Sequence, residues 1–321
     1  VTSFTSASSS VIRSGTAQFS SGYNADGWTG YVRSDTLARG TAAATPNTLW
    51  GVKAGVAAPA NATTTADKLD ALSAGDITNR LILTTATATA TTSTEAPVSF
   101  TWANLGTTQK AAIKLTTAET DANATARVNF LRGDRSTEGT GTVRVRKSRQ
   151  GDIVNSALWY VGPPVSNHTY DGYRAFAAKQ AARIPMVYVG GNDGMLHGFS
   201  ALNGAERIAY VPKGVVPNLK DLATSGYTHR YYVDGSPFSG DVDTGSTAPN
   251  WRTMLIGTLG AGGKGYFVLD ITTPGSTATT GATAVASNFS VANAASLVVM
   301  DKTAVAGDAT TGDAADIGHI F

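Results

Sequence analysis

Residues 187–199 read VYVGGNDGMLHGF. Two apolar runs flank Asn192-Asp193-Gly194. This turn chemistry supplies the positive φ angles that close a tight antiparallel connection, so the stretch predicts a β-hairpin. His197 lies two residues before Phe199 and shares its strand face. That placement reads as a core or inter-blade histidine rather than a catalytic base.

The pattern continues outward. MVYVGGNDGMLHGFSALNGAERIAYVP reads as strand, Asn-Asp-Gly turn, strand, Asn-Gly turn, strand. WRTMLIGTLGAGGKGYFVLDIT repeats the scheme around a glycine-rich turn. Units of roughly 40 to 50 residues made of short antiparallel strands have the size of a propeller blade. From residue 150 onward there is chain for about three or four such units. DIGHIF carries the last strand signal.

The earlier half has a different texture. GYNADGWTGYVRSD predicts a hairpin, LILTTATATATTSTEAP a strand and loop, and ADKLDAL a short helical turn. Residues 116–132 predict the best helix, with Thr116 and Glu119 as a capping box and Gly133 as its left-handed end. DGYRAFAAKQAAR predicts a second helix, and GDIVNSALWYVGPP an apolar strand. TVRVRKSRQ holds the one basic cluster, Arg144, Arg146, Lys147 and Arg149, and its alternation predicts a strand with a charged face. The chain therefore divides into a mixed α+β lead-in, 1–150, and propeller blades, 151–321. The fold class is mainly β: partial propeller blades preceded by an α+β segment with short helices.

Composition narrows the function. Of the 321 residues 42% are hydrophobic and only 15% charged, against about 25% charged in typical soluble domains. Ser, Thr, Asn and Gly must supply much of the polar surface. A net charge of +2 is too mild for a nucleic-acid footprint. With no cysteine, disulfides, thiolate catalysis and Cys-ligated zinc are excluded within this sequence. No apolar run approaches the roughly 18 residues of a membrane span, and the Ser/Thr-rich start at Val1 reads as an internal piece of a longer protein.

GDIVNSALWYVGPP, RIPMVYVGGNDGMLHGF, HRYYVDGSPFSGDV, WRTMLIGTLGAGGKGYFVLDITTP and DIGHIF occur in that order. Upstream stand GWTGYV, FTWANL and FLRGDRSTEG. Together they resemble the C-terminal region of the PilC/PilY-type type IV pilus proteins. The resemblance implies a modified propeller similar to that of quinoprotein dehydrogenases, exported to the cell surface at the pilus tip. There it would support pilus assembly with minor pilins, counter retraction and mediate adhesion to host receptors. It also implies a calcium loop, which the sequence places outside this segment because no D-x-D/N-x-D run occurs. No cofactor is expected within the segment.

FLRGDR sets Arg132, Gly133 and Asp134 at a helix end. In an exposed loop this triplet could bridge a receptor's acidic pocket and its metal ion; otherwise Gly133 is simply a helix cap. Asp241 and Asp243 are too few carboxylates for calcium by themselves. GTLGAGGKGY lacks the Gly-Lys-Ser/Thr ending of a phosphate loop and reads as an inter-strand turn. His168, His229 and His319 show no ligand spacing, and the five tryptophans read as packing anchors. The leading expectation is a non-enzymatic pilus-tip protein. The rivals are a quinoprotein-like dehydrogenase, which would need a quinone pocket and a catalytic Asp, and a surface glycan-binding propeller.

Overall fold

A computed structural model describes residues 5–7, 16–37, 45–46, 50, 64–87, 95–166, 168–305 and 317–320. Strands β1 (Thr5–Ala7), β2 (Ala17–Asn24), β3 (Thr29–Thr36) and β4 (Thr45–Pro46) form an antiparallel sheet in that order. The predicted hairpin is its centre. Gly27 and Trp28 close the turn with φ of 88° and 51°, and Trp28 is the one non-glycine with positive φ among the described residues. Phe19 and Val32 are buried on one face of this hairpin and pack with Val187, Val189 and Phe199 of the opening stretch.

Two short helices follow, α1 (Thr65–Asp70) and α2 (Ala74–Asn79). Each begins with a reciprocal cap, Thr64 with Asp67 and Ser73 with Asp76, which satisfies the free N–H groups of the first turn. Strands β5 (Ile82–Ala86) and β6 (Ala96–Ser99) form a hairpin, and α3 (Thr107–Ile113) and α4 (Asp121–Arg132) follow. Helix α4 starts later than the sequence predicts. Its cap is Thr120, because the Glu119 carboxylate instead accepts from Leu115 N at 2.7 Å and pairs with the buried Arg127 at 2.7 Å. Gly133 ends it as predicted, with φ of 117°.

The first blade is β7 (Trp159–Val161) followed, after α5 (Tyr173–Lys179), by β8 (Met186–Gly191), β9 (Met195–Ser200) and β10 (Glu206–Val211). These strands pair antiparallel in chain order. Strand β5 adds parallel to β10, giving a six-stranded sheet ordered β6-β5-β10-β9-β8-β7. The sheet therefore crosses the expected boundary at residue 150. Strand β7 is shorter than GDIVNSALWYVGPP predicts. Backbone N–H groups ahead of it go to side-chain acceptors instead of a ladder: Gly151 to Asp193, Asn155 to Asp234 and Ala157 to Ser236.

Beyond α6 (Leu219–Ala223) lie β11 (Phe238–Asp243), β12 (Trp251–Thr258), β13 (Gly263–Lys264), β14 (Tyr266–Asp270), α7 (Ala294–Leu297), β15 (Val298–Asp301) and β16 (Ala304–Val305). Strands β11-β12-β14-β15 make a second antiparallel meander, while β13 and β16 form a small ribbon. The described residues thus hold two four-stranded blades, fewer than the length suggested, because long loops and helices take up the intervening chain. Residues 317–320 are not a strand: Gly318 O accepts from Gly265 N and the His319 ring meets Gly260 O.

The blades stack with their strands in matching order. At one edge Trp159 Nε1 donates to Ser239 Oγ at 2.8 Å, and its ring lies 5.1 Å from that of Phe238. At the other, Tyr210 Oη donates to Asp301 Oδ2 at 2.6 Å and its ring packs 5.0 Å from Phe267. Between them Leu255, Phe267, Leu269 and Val298 are buried in the main core. The opposite face of the second blade carries the exposed Ile256 and Met300 in one cross-strand row with Val268, and Phe238 ends that row at the edge beside Trp159. The protein is mainly β, with no closed barrel among the described residues. No described helix is long and apolar enough to cross a membrane.

Candidate functional site

The opening hairpin carries the densest polar constellation. Strands β8 and β9 are buried along their whole length, and the Asn192-Asp193-Gly194 turn joins them with Gly194 at φ of 91°. Asn192 Nδ2 donates to Asp152 Oδ2 at 2.7 Å, and Asn192 Oδ1 accepts from Tyr232 N at 3.0 Å. The turn is therefore built into its surroundings.

His197 is only 1% exposed, and each ring nitrogen faces a carboxylate. Nδ1 lies 2.7 Å from Glu206 Oε1, and Nε2 lies 3.0 Å from Asp193 Oδ2. Burial alone would lower the imidazole pKa, but Asp193 and Glu206 outweigh it and raise it to about 9. Burial likewise works against ionised Glu206, yet Arg80 and His197 draw its pKa down to about 2. Arg80 grips Glu206 with two nitrogens, at 2.7 and 2.8 Å, and donates its third to the Arg132 carbonyl. Asp193 also accepts from Gly151 N at 2.8 Å.

Two cations and two anions thus alternate in a line from the lead-in to the first blade. Such a cluster is stable only when every member is paired. With a carboxylate at each ring nitrogen, His197 ties its strand to the turn at Asp193 and to Glu206 on β10. This agrees with its reading as a core histidine. No local pattern singles out Arg80 or Glu206, which fall on opposite sides of residue 150 and resemble ordinary surface charges in the sequence.

A second buried carboxylate, Asp152, accepts from Asn192 and meets His229 Nε2 at 2.8 Å; burial raises its pKa. The His229 ring stacks 3.7 Å from Trp28, which joins the N-terminal hairpin to the loop after the first blade. Among the described residues no group of three or more His, Asp or Glu is arranged to hold a metal ion. Asp241 already accepts from Tyr173 Oη and Thr253 Oγ1, and Asp243 from Gly245 N and Asn250 N. GTLGAGGKGY is an inter-strand connection, as expected.

Arg132, Gly133 and Asp134 do not form an exposed loop. The Arg132 side chain is buried, donating Nη1 to Phe100 O and Nη2 to Thr78 O, both at 3.0 Å. Gly133 is the helix end, where a Cβ would meet Ile77 Cδ1 at 2.9 Å. Asp134 Oδ1 accepts from Ser136 N at 2.8 Å.

The predicted charged strand at TVRVRKSRQ is irregular instead. Its arginines serve as staples to backbone carbonyls of neighbouring segments. Arg144 donates to Leu222 O, Arg146 to Phe130 O and Asp134 O, and Arg149 to Gly133 O and Asp70 O. Arg146 also lies 4.0 Å over the Phe130 ring and pairs with Glu138; burial lowers its pKa to about 10.

Two stacked antiparallel blades joined to a lead-in by buried charge define a β-propeller segment with a structural centre. Residues 150–291 match the family model of the PilY1 beta-propeller domain. A type IV pilus biogenesis factor PilY1 homolog of Xylella fastidiosa is 49% identical over 163 residues, which are 48% of this chain and 13% of the relative. The type IV pilus biogenesis factor PilY1 of Pseudomonas aeruginosa strain PAK is 42% identical over 190 residues, 54% of this chain and 16% of the relative. The chain thus spans well under a fifth of the length of these relatives. The crystal structure of the Pseudomonas aeruginosa PilY1 C-terminal domain shares 41% identity at a TM-score of 0.27, covering 36% of this chain and 23% of that one.

Proposed function

We propose that this chain is the lead-in and first blades of an exported, surface-located type IV pilus biogenesis protein that acts at the pilus tip without catalysing a reaction. The observation that carries the reading is the family match of residues 150–291, in a segment whose relatives are named as pilus biogenesis factors. The buried, fully paired state of His197 supports a structural role for the polar centre. In this reading the protein meets minor pilins, promotes assembly, opposes retraction and contributes to adhesion, and its calcium site lies outside the 321 residues. Arg132-Gly133-Asp134 acts as a brace of the lead-in and not as a receptor ligand.

The test is an in-frame removal of residues 150–291 from the chromosomal gene, with surface pili counted by electron microscopy. The expected result is loss of pili while retraction operates and their return when retraction is blocked. Normal piliation in both backgrounds would refute the reading.

A further inference from the structure

The two hydrophobic clusters of the core leave a gap where they approach each other. Leu69 and Leu72 border it from the smaller cluster, and Leu81 and Phe289 from the larger. The gap is an open cavity of about 490 Å³ between α1, α2, the start of β10 and the chain ahead of α7. That volume lies within the roughly 300–1,000 Å³ of small-molecule sites, which pair apolar walls with a few polar groups.

The charged groups facing the cavity are Lys68, Arg80, Arg207, Asp76 and Glu206, one positive charge in excess. Most are already satisfied. Arg80 and Glu206 hold each other, and Asp76 caps Ser73. Arg207 commits Nη2 to the Pro274 carbonyl at 2.8 Å. The Lys68 ammonium has no hydrogen bond or ion pair among the described residues. Burial lowers its pKa, with Asp67 offsetting only part of that, as befits a cation drawn from water without an acceptor.

We propose that this cavity binds a small organic monocarboxylate, its apolar body against Leu72, Leu81 and Phe289 and its carboxylate on Lys68 and Arg207. A monoanion matches the single excess charge. A dianion such as phosphate would exceed that charge and leave the apolar walls bare, whereas a neutral molecule would leave Lys68 without an acceptor.

The test is equilibrium dialysis of the 321-residue chain against octanoate, with octanamide as the neutral isostere. Octanoate should bind at one site per chain, about tenfold more tightly than octanamide, as one charge-assisted interaction of ~1.4 kcal/mol provides. Lys68→Gln should remove that preference without changing octanamide binding. Asn79→Trp, at the exposed rim, should weaken both ligands at an unchanged melting temperature. No saturable octanoate binding, equal binding of the two ligands, or a preference that survives Lys68→Gln would overturn the proposal.

Discussion

Arg80 and Glu206 lie 126 residues apart in the chain and meet through two parallel bonds, Nε to Oε2 at 2.7 Å and Nη2 to Oε1 at 2.8 Å. The pair ties the lead-in to the last strand of the first blade. Removing one member leaves a buried charge without its partner, so Glu206→Leu should destabilise the chain by about 3–5 kcal/mol in urea unfolding. Arg80→Met combined with Glu206→Leu should cost less than the two single losses added together. Strict additivity would show that the two residues are not coupled.

The same cluster sets a pH window. His197 has a folded pKa of about 9, above its ordinary 6.5, so its contribution is complete below pH 6.5 and is lost as pH rises through 9. Glu206 has a folded pKa of about 2, below its ordinary 4.5, so its contribution is complete above pH 4.5 and is lost as pH falls through 2. Melting temperatures should therefore decline from pH 6.5 to 9, and His197→Phe should flatten that decline. An unchanged slope in the variant would assign the alkaline loss to other groups.

How much of this was legible in the sequence follows from the range of the forces involved. The hairpins at Asn24–Thr29 and Asn192–Gly194, the helix end at Gly133 and the burial of His197 were readable because turn chemistry and strand alternation act over a few residues. TVRVRKSRQ misled because alternation records only which residues could share a face. Its arginines were recruited by carbonyls of α4 and α6, which no local pattern reveals. The Arg80–Glu206 pair was hidden for the same reason. The parallel addition of β5 to β10 was hidden too, since strand pairing across more than a hundred residues leaves no periodic trace.

Two glycines separate backbone strain from crowding. Gly194 and Gly141 both have positive φ, 91° and 93°. A Cβ at Gly194 would lie 2.4 Å from Cδ2 of the buried Leu219, whereas nothing lies within 4 Å at Gly141. Gly141→Ala should cost about 1 kcal/mol from φ alone, and Gly194→Ala measurably more. Equal losses in denaturant melts would remove the packing contribution of the turn.

The Arg-Gly-Asp triplet gives a sharp contrast between roles. Arg132→Ala frees the buried Phe100 carbonyl and should lower the melting temperature, because a buried acceptor left unpaired costs about 1–3 kcal/mol. Asp134→Glu should leave both stability and attachment to integrin-bearing cells unchanged. Loss of attachment by folded Asp134→Glu would restore the triplet as a receptor motif.

Because the sequence contains no cysteine, the stacking of the two blades can be measured directly with introduced thiols. Ala157, ahead of β7, donates its backbone N–H to Ser236 Oγ, ahead of β11, at 3.0 Å. Ala157→Cys with Ser236→Cys should form an intramolecular disulfide on mild oxidation of the folded chain. Ala157→Cys with Ser287→Cys, a residue that lines the cavity beside α1 and α2, should not. Rapid loss of free thiols in the first variant alone, abolished in urea, is the predicted result. Equal rates for both pairs would contradict the stacked arrangement.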